Sequence, residues 1–111
     1  MSIPVTGRNN ILNVYTGNST APSVFRLRIG SGTGGSFSEH ANVTVSTSAA
    51  SGGVVDFAST DRTIGITANN TTISTVRLTA DTVTIAEWVV TSVTLKSGDD
   101  FVITKAEIGL T

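Results

Sequence analysis

Apolar and polar residues alternate cleanly along Val24–Ile29, with Phe25, Leu27 and Ile29 on one face and Arg26 and Arg28 on the other. A period of two is that of a strand with one buried and one wet face. Shorter sets repeat the pattern: Val43-Thr44-Val45, Val55 with Phe57, Ile64 with Ile66, Ile73 with Val76 and Leu78, and Val83 with Ile85. Between them stand Ser51-Gly52-Gly53, Asp61-Arg62, Asn69-Asn70 and Ala80-Asp81, residue types that punctuate strands with turns. The longest alternating stretch is Trp88–Leu95. The turn Lys96-Ser97-Gly98-Asp99 then leads to Phe101 and Ile103, which predicts a hairpin, and Ile108 and Leu110 close the chain. One segment has helical spacing instead. Ile11, Leu12, Val14 and Tyr15 fit one helical face, Asn10 is placed to cap its start and Gly17 to end it.

Seven or eight short strands without interleaved helices predict an all-β fold, a small antiparallel β-sandwich or barrel with one short N-terminal helix. Parallel pairing would need crossover segments of a dozen or more residues, and the chain has none to offer. Ser2–Gly7 contains Pro4 and no periodicity, so residues 1–9 read as an N-terminal arm and residues 10–111 as a single β-domain. Gly30–Gly35 reads as a flexible loop. Trp88, near the middle of the longest strand pattern, is expected to anchor the core.

Composition agrees with this picture. Thr, Val and Ile make up 41 of the 111 residues, and these β-branched side chains favour strands. A mean hydropathy of +0.22 with a net charge of −1 is the opposite of the signature of disordered chains. No apolar run reaches the roughly 18 residues of a membrane-spanning helix, and the first ten residues lack the apolar centre of a secretory signal, so a soluble, unprocessed protein is expected. The absence of cysteine removes disulfides and thiolate metal sites and fits assembly in a reducing cytosol. Six aromatic residues are few for a domain of this size, which suggests that stability draws on a partner.

Charge is unevenly placed. Arg8, Arg26 and Arg28 precede Glu39 with no acid among them, whereas residues 39–111 hold four basic and eight acidic residues. Arg8, Arg26 and Arg28 are thus candidates for docking onto an acidic partner, set against the simpler reading of Arg26 and Arg28 as the wet face of a strand. Candidate chemistry is otherwise thin. Gly30-Ser31-Gly32-Thr33-Gly34-Gly35 satisfies a dinucleotide-binding glycine pattern, but a Thr/Val strand follows it where a helix N-terminus would have to hold the pyrophosphate. His40 beside Glu39 has no identifiable nucleophile or orienting acid, and Asp99, Asp100 and Glu107 lack the regular spacing of a calcium loop. No interleaving of basic and aromatic residues suggests a nucleic-acid platform. The expectation is a protein that is not an enzyme, with no catalytic, cofactor-binding or metal site, no cofactor, and no nucleic-acid or membrane partner.

The order of features resembles a group of small bacteriophage virion proteins, often labelled tail-fibre-like, found among head and tail components. The matching points are the short N-terminal helix, Thr20-Ala21-Pro22-Ser23-Val24-Phe25 leading into a strand, the glycine loop and a Ser/Gly turn near Ala49–Gly53. Val89–Leu95, the turn Lys96-Ser97-Gly98-Asp99-Asp100 and Phe101–Ile103 look like that group's closing hairpin, and Ala106-Glu107-Ile108-Gly109-Leu110-Thr111 like its final strand. The chain departs from the group in carrying Ser38-Glu39-His40-Ala41-Asn42 where a Gly-Gly-Tyr-Ala-Arg-like strand is common. The resemblance implies a virion structural protein assembled in the host cytoplasm, foremost a capsid decoration (cement) protein on the major capsid protein lattice. A tail or head-fibre component, or a carbohydrate- or receptor-binding module, is the alternative. Lattice sites of three-fold symmetry would suit a homo-oligomer, a trimer in the first instance.

Overall fold

Alternating β-branched sequence becomes eight strands in the computed structural model, which describes residues 1–47, 50–58 and 60–109. After helix α1 (Val5–Tyr15) come β1 (Phe25–Ser31), β2 (Ser38–Val45), β3 (Val54–Asp56), β4 (Arg62–Gly65), β5 (Thr71–Ala80), β6 (Val83–Leu95), β7 (Asp100–Ile103) and β8 (Glu107–Gly109). They form a four-stranded sheet in the order β2-β1-β5-β6 and two ribbons, β3-β8 and β4-β7, all antiparallel. The chain is an all-β domain with one short N-terminal helix. No ladder joins the three sheets among the described residues, so they are layered rather than closed into a barrel.

Register decides what is buried. β1 pairs with β5 so that Leu27 lies opposite Leu78 and Ile29 opposite Val76, which puts four aliphatic side chains on one face of the large sheet. Leu27, Ile29 and Leu78 are wholly buried there. The ribbons bring the opposing layer: Ile64 of β4, Ile103 of β7, and Phe57 and Ala106 beside β3 and β8 belong to the same cluster. Phe57 meets Phe25 with ring centroids 5.3 Å apart, a tilted contact favoured by the ring quadrupoles. The β5-β6 connection turns through Asp81 at φ 52°, and the Asp81 carboxylate accepts the Val24 N–H at 3.2 Å, tying the start of β1 to that turn.

The helix begins at Val5, not at Asn10, so half of the segment read as an arm is helical. Pro4 holds the N-cap position, and Gly7, Ile11 and Val14 give the helix an inward face. Gly7 is the tightest point: a Cβ there would stand 2.6 Å from the Thr84 carbonyl oxygen, so only glycine lets α1 lie this close to β6. Periodicity counting over apolar residues passes over a glycine contact of this kind. Gly17 ends the helix as expected, at φ 81°, with its N–H on the Val14 carbonyl at 3.2 Å and the Asn18 N–H on that of Asn13 at 2.8 Å. This pair of bonds satisfies the last carbonyls of the helix. Ahead of the helix, Ser2 is bridged to Glu87.

Three further expectations need correction. Val83 with Ile85 and the stretch from Trp88 belong to one strand, β6, because Glu87 between them is an outward rung of the ladder and no turn. The closing hairpin is absent: β7 pairs with β4, not with β6. The turn after β6 is anchored elsewhere, since Gly98 donates to the Ile66 carbonyl at 2.9 Å, Ile66 to that of Asp99 at 2.8 Å and the Ser97 N–H to Asn69 Oδ1 at 3.1 Å. Those bonds carry the chain into the second layer. Finally, the glycine loop is pinned. Gly30 and Ser31 belong to β1, a short 3-10 turn spans Gly34–Ser36, and Thr75 Oγ1 donates to the Gly32 carbonyl at 2.7 Å. The turn at residues 51–54 closes through reciprocal Ser51 and Val54 bonds, and β8 pairs with β3 as the final strand. Ala49, Leu110 and Thr111, named in the expected turn and final strand, lie outside the described residues.

Candidate interaction surfaces

The wet face of the large sheet carries a polar network built by register. Arg26 stands opposite Thr79 and Arg28 opposite Asn42 on one side and Arg77 on the other, and the register shift between Ile29 and Gly30 brings Glu39 to the same face as Asn42. Arg28 donates from Nη1 to Glu39 Oε1 at 2.8 Å and from Nε to Thr79 Oγ1 at 3.0 Å. Asn42 Nδ2 donates to the other Glu39 oxygen at 2.8 Å, and Arg26 Nη1 to Asn42 Oδ1 at 3.2 Å. The two arginines are therefore joined through Asn42 and Glu39 into one chain of hydrogen bonds. Such a network rigidifies the face and leaves Arg28 little free capacity for a partner.

Burial pushes the Glu39 carboxyl up, but hydrogen bonds from Arg28 and Asn42, with the charges of Arg28 and Arg26, outweigh it and hold the group below the ordinary glutamate value of 4.5. A carboxylate depressed on folding adds stability above its unfolded pKa and loses it as pH falls through the folded one. Glu39→Gln is thus expected to flatten the acid limb of a stability-pH curve below about pH 4.5 and to leave neutral-pH behaviour nearly unchanged, as exposed pairs contribute little. Thermal melts from pH 3 to pH 7 check this; parallel acid limbs for both proteins would contradict it.

A second pair lies on the neighbouring rungs. Arg77 Nη2 reaches Glu87 Oε2 at 2.7 Å and the Gly34 carbonyl at 2.8 Å, and Nε approaches the same carboxylate oxygen at 3.2 Å. Its guanidinium carbon lies 4.2 Å from the centroid of the Phe37 ring. Arg77 therefore clamps the glycine loop and stacks beneath the aromatic residue that follows it. Sequence reading passed over Arg77 and Glu87. Hairpin symmetry about Asp81-Thr82 would set Arg77 opposite Ala86; a one-residue register shift between Leu78 and Thr79 sets it opposite Glu87, and no pattern in the sequence signals that shift.

The third arginine is elsewhere. Arg8 is exposed on α1, which packs against β6, two strands away from β1 in the sheet order. The structure brings Arg26 and Arg28 together and leaves Arg8 apart from them. His40 is exposed on β2, Asp99 is occupied in its turn by accepting the Lys96 N–H at 3.0 Å, and Glu107 lies 3.5 Å from Lys105. Trp88 is half-buried at the margin of the core, where it lines a groove with Val76, Val90 and Phe101.

Apolar surface gathers at the N-terminal end. Met1, Val5, Leu12 and Tyr15 are all exposed, Tyr15 at 89%. Val5, Leu12 and Tyr15 lie on the outer side of α1, away from Gly7, Ile11 and Val14. Beside the inner side of the helix runs an apolar groove of about 360 Å³ lined by Ile11, Val14, Phe25, Val55, Phe57 and Ile85. Both sides of α1 are thus apolar, while only one is packed on the sheet.

Compared with known proteins, the chain matches no protein family, no curated protein and no solved structure.

Proposed function

We propose that the protein is a structural component of a phage virion, foremost a decoration protein that binds the assembled capsid lattice in many copies. The observation that supports this reading is the exposed apolar side of α1. Four large apolar side chains within the first 15 residues face solvent beside an open apolar groove, a pattern that marks a surface used to contact other proteins. Arg8 lies on the same helix and adds positive charge, so an acidic site on the shell would suit it. Binding only the assembled lattice stabilises that lattice by mass action, and many weak contacts act together. Arg26 contributes through the free side of its guanidinium, whereas Arg28 serves mainly to hold Glu39 and Thr79.

The test mixes purified protein with undecorated shells and measures co-sedimentation across a salt series. High occupancy that falls with salt is expected, with a Leu12→Ser, Tyr15→Ser double variant losing most attachment and Arg8→Ala losing its salt-sensitive part. Failure of the wild-type protein to sediment with shells at any salt concentration would reject the decoration role. Attachment unaffected by the α1 variant would move the docking surface to another face.

A further inference from the structure

β6 is an edge strand that α1 approaches at Thr84 and Ile85 and whose outer side is paired, among the described residues, at Glu87 alone. There the Ser2 N–H donates to the Glu87 carbonyl at 2.7 Å and the Glu87 N–H to the Ser2 carbonyl at 2.8 Å. The edge thus accepts an antiparallel strand already, for a single residue. Beyond Glu87, residues 88–95 contain no charge, proline or glycine. Edge strands that must stay single are usually blunted by charges, proline, short length or a bulge, and over residues 88–95 β6 has only the last. Val89 is 74% exposed and Val93 38%, so the uncharged edge also presents apolar side chains to solvent.

We propose that this edge pairs with the same edge of a second copy, antiparallel about a two-fold axis at Thr91. A two-fold axis perpendicular to the sheet must pass through one residue of the strand, which then faces itself. With Thr91 on the axis, Val89 of each copy falls opposite Val93 of the other, and the two most exposed apolar side chains of β6 cover each other. On its inner side β6 has Val93 opposite Ile73 and Val89 opposite Thr75, so residues 90–92 bulge against the single residue Ser74, and the bulges of the two copies face each other across the axis and have to match. The new ladder stops short of Glu87, whose outer N–H and C=O are held by Ser2 and whose carboxylate is held by Arg77, so residues 89–93 of the two copies form the contact. The product is a continuous eight-stranded sheet and a dimer, in place of the trimer that lattice symmetry suggests. A contact of about five residues at roughly 3.3 Å each is short, so a weak, concentration-dependent association is expected.

The inference stands on the strand edge and not on a role in a capsid, and it is tested without shells, so its failure and that of the decoration reading are distinguishable. Sedimentation velocity of the wild-type chain from 10 μM to 1 mM should show a monomer-dimer equilibrium, and Val89→Lys should weaken it at least about tenfold. The chain has no cysteine, so Thr91→Cys introduces a single thiol. Across an antiparallel pair the two Cα atoms would lie about 4.5–5.5 Å apart, within disulfide reach, and mild oxidation should give a covalent dimer. Tyr15→Cys, on the outer side of α1, should not cross-link under the same conditions. A wild-type chain that stays monomeric at 1 mM, forms a trimer, or cross-links through Tyr15→Cys as readily as through Thr91→Cys would overturn the proposal.

Discussion

Leu78→Ala is expected to lower the unfolding free energy by about 2–5 kcal/mol, the range for removing a buried leucine side chain from a close-packed core. Leu78 has no solvent exposure and lies opposite Leu27 on one neighbouring strand and Ala86 on the other. The surrounding backbone is fixed by ladders on both sides, so the cavity has little freedom to collapse. Small domains have only about 5–15 kcal/mol of net stability, and a loss of this size would bring the protein close to unfolding at room temperature. Urea titration followed by the fluorescence of the single tryptophan, Trp88, provides the measurement. Trp88 lies opposite Val76 on β5, next to the affected site, and reports on the same sheet. A loss below about 1 kcal/mol would mean that the two layers are less tightly joined than the burial of Leu78 indicates.

Arg77→Met is expected to cost about 2–4 kcal/mol, somewhat below the 3–5 kcal/mol typical of breaking a wholly buried ion pair from one side. The arginine and Glu87 side chains are 16% and 11% exposed, so removing the guanidinium leaves the carboxylate poorly solvated. The same substitution removes the hydrogen bond to the Gly34 carbonyl and the stacking on Phe37. Loss of these contacts frees the glycine loop, and limited proteolysis near residues 33–37 should accelerate more than global unfolding explains. Glu87→Gln with Arg77→Met should recover part of the stability, because no buried charge is then left without a partner. A double variant no more stable than Arg77→Met alone would show that the loop contacts, and not the ion pair, carry the energy.

The alternation at Phe25–Ile29 and the β-branched composition were enough to determine an antiparallel all-β protein, because side-chain period and burial are local consequences of strand geometry. Gly17 as a helix stop and Asp81 and Gly98 in turns were legible for the same reason, since backbone conformation at these points depends on the residue itself. Pairing was not local. Whether β7 joins β6 or β4 depends on what the Ile66 backbone and the Asn69 side chain offer to the turn after β6, and no periodicity carries that information. The docking of α1 through Gly7 depends on a carbonyl of Thr84, 77 residues away in the chain. Trp88 reads as a core residue by pattern and is half-buried, because β6 is the edge strand of the large sheet. The candidate surfaces divide in the same way. Sequence alone placed Arg26 and Arg28 on one wet face; register decided that Glu39, Asn42 and Thr79 would occupy them, that Arg77 and Glu87 would meet, and that Arg8 would stand apart. Hydrogen-bonding partners across a sheet are set by strand order and register, which are properties of the whole packed chain.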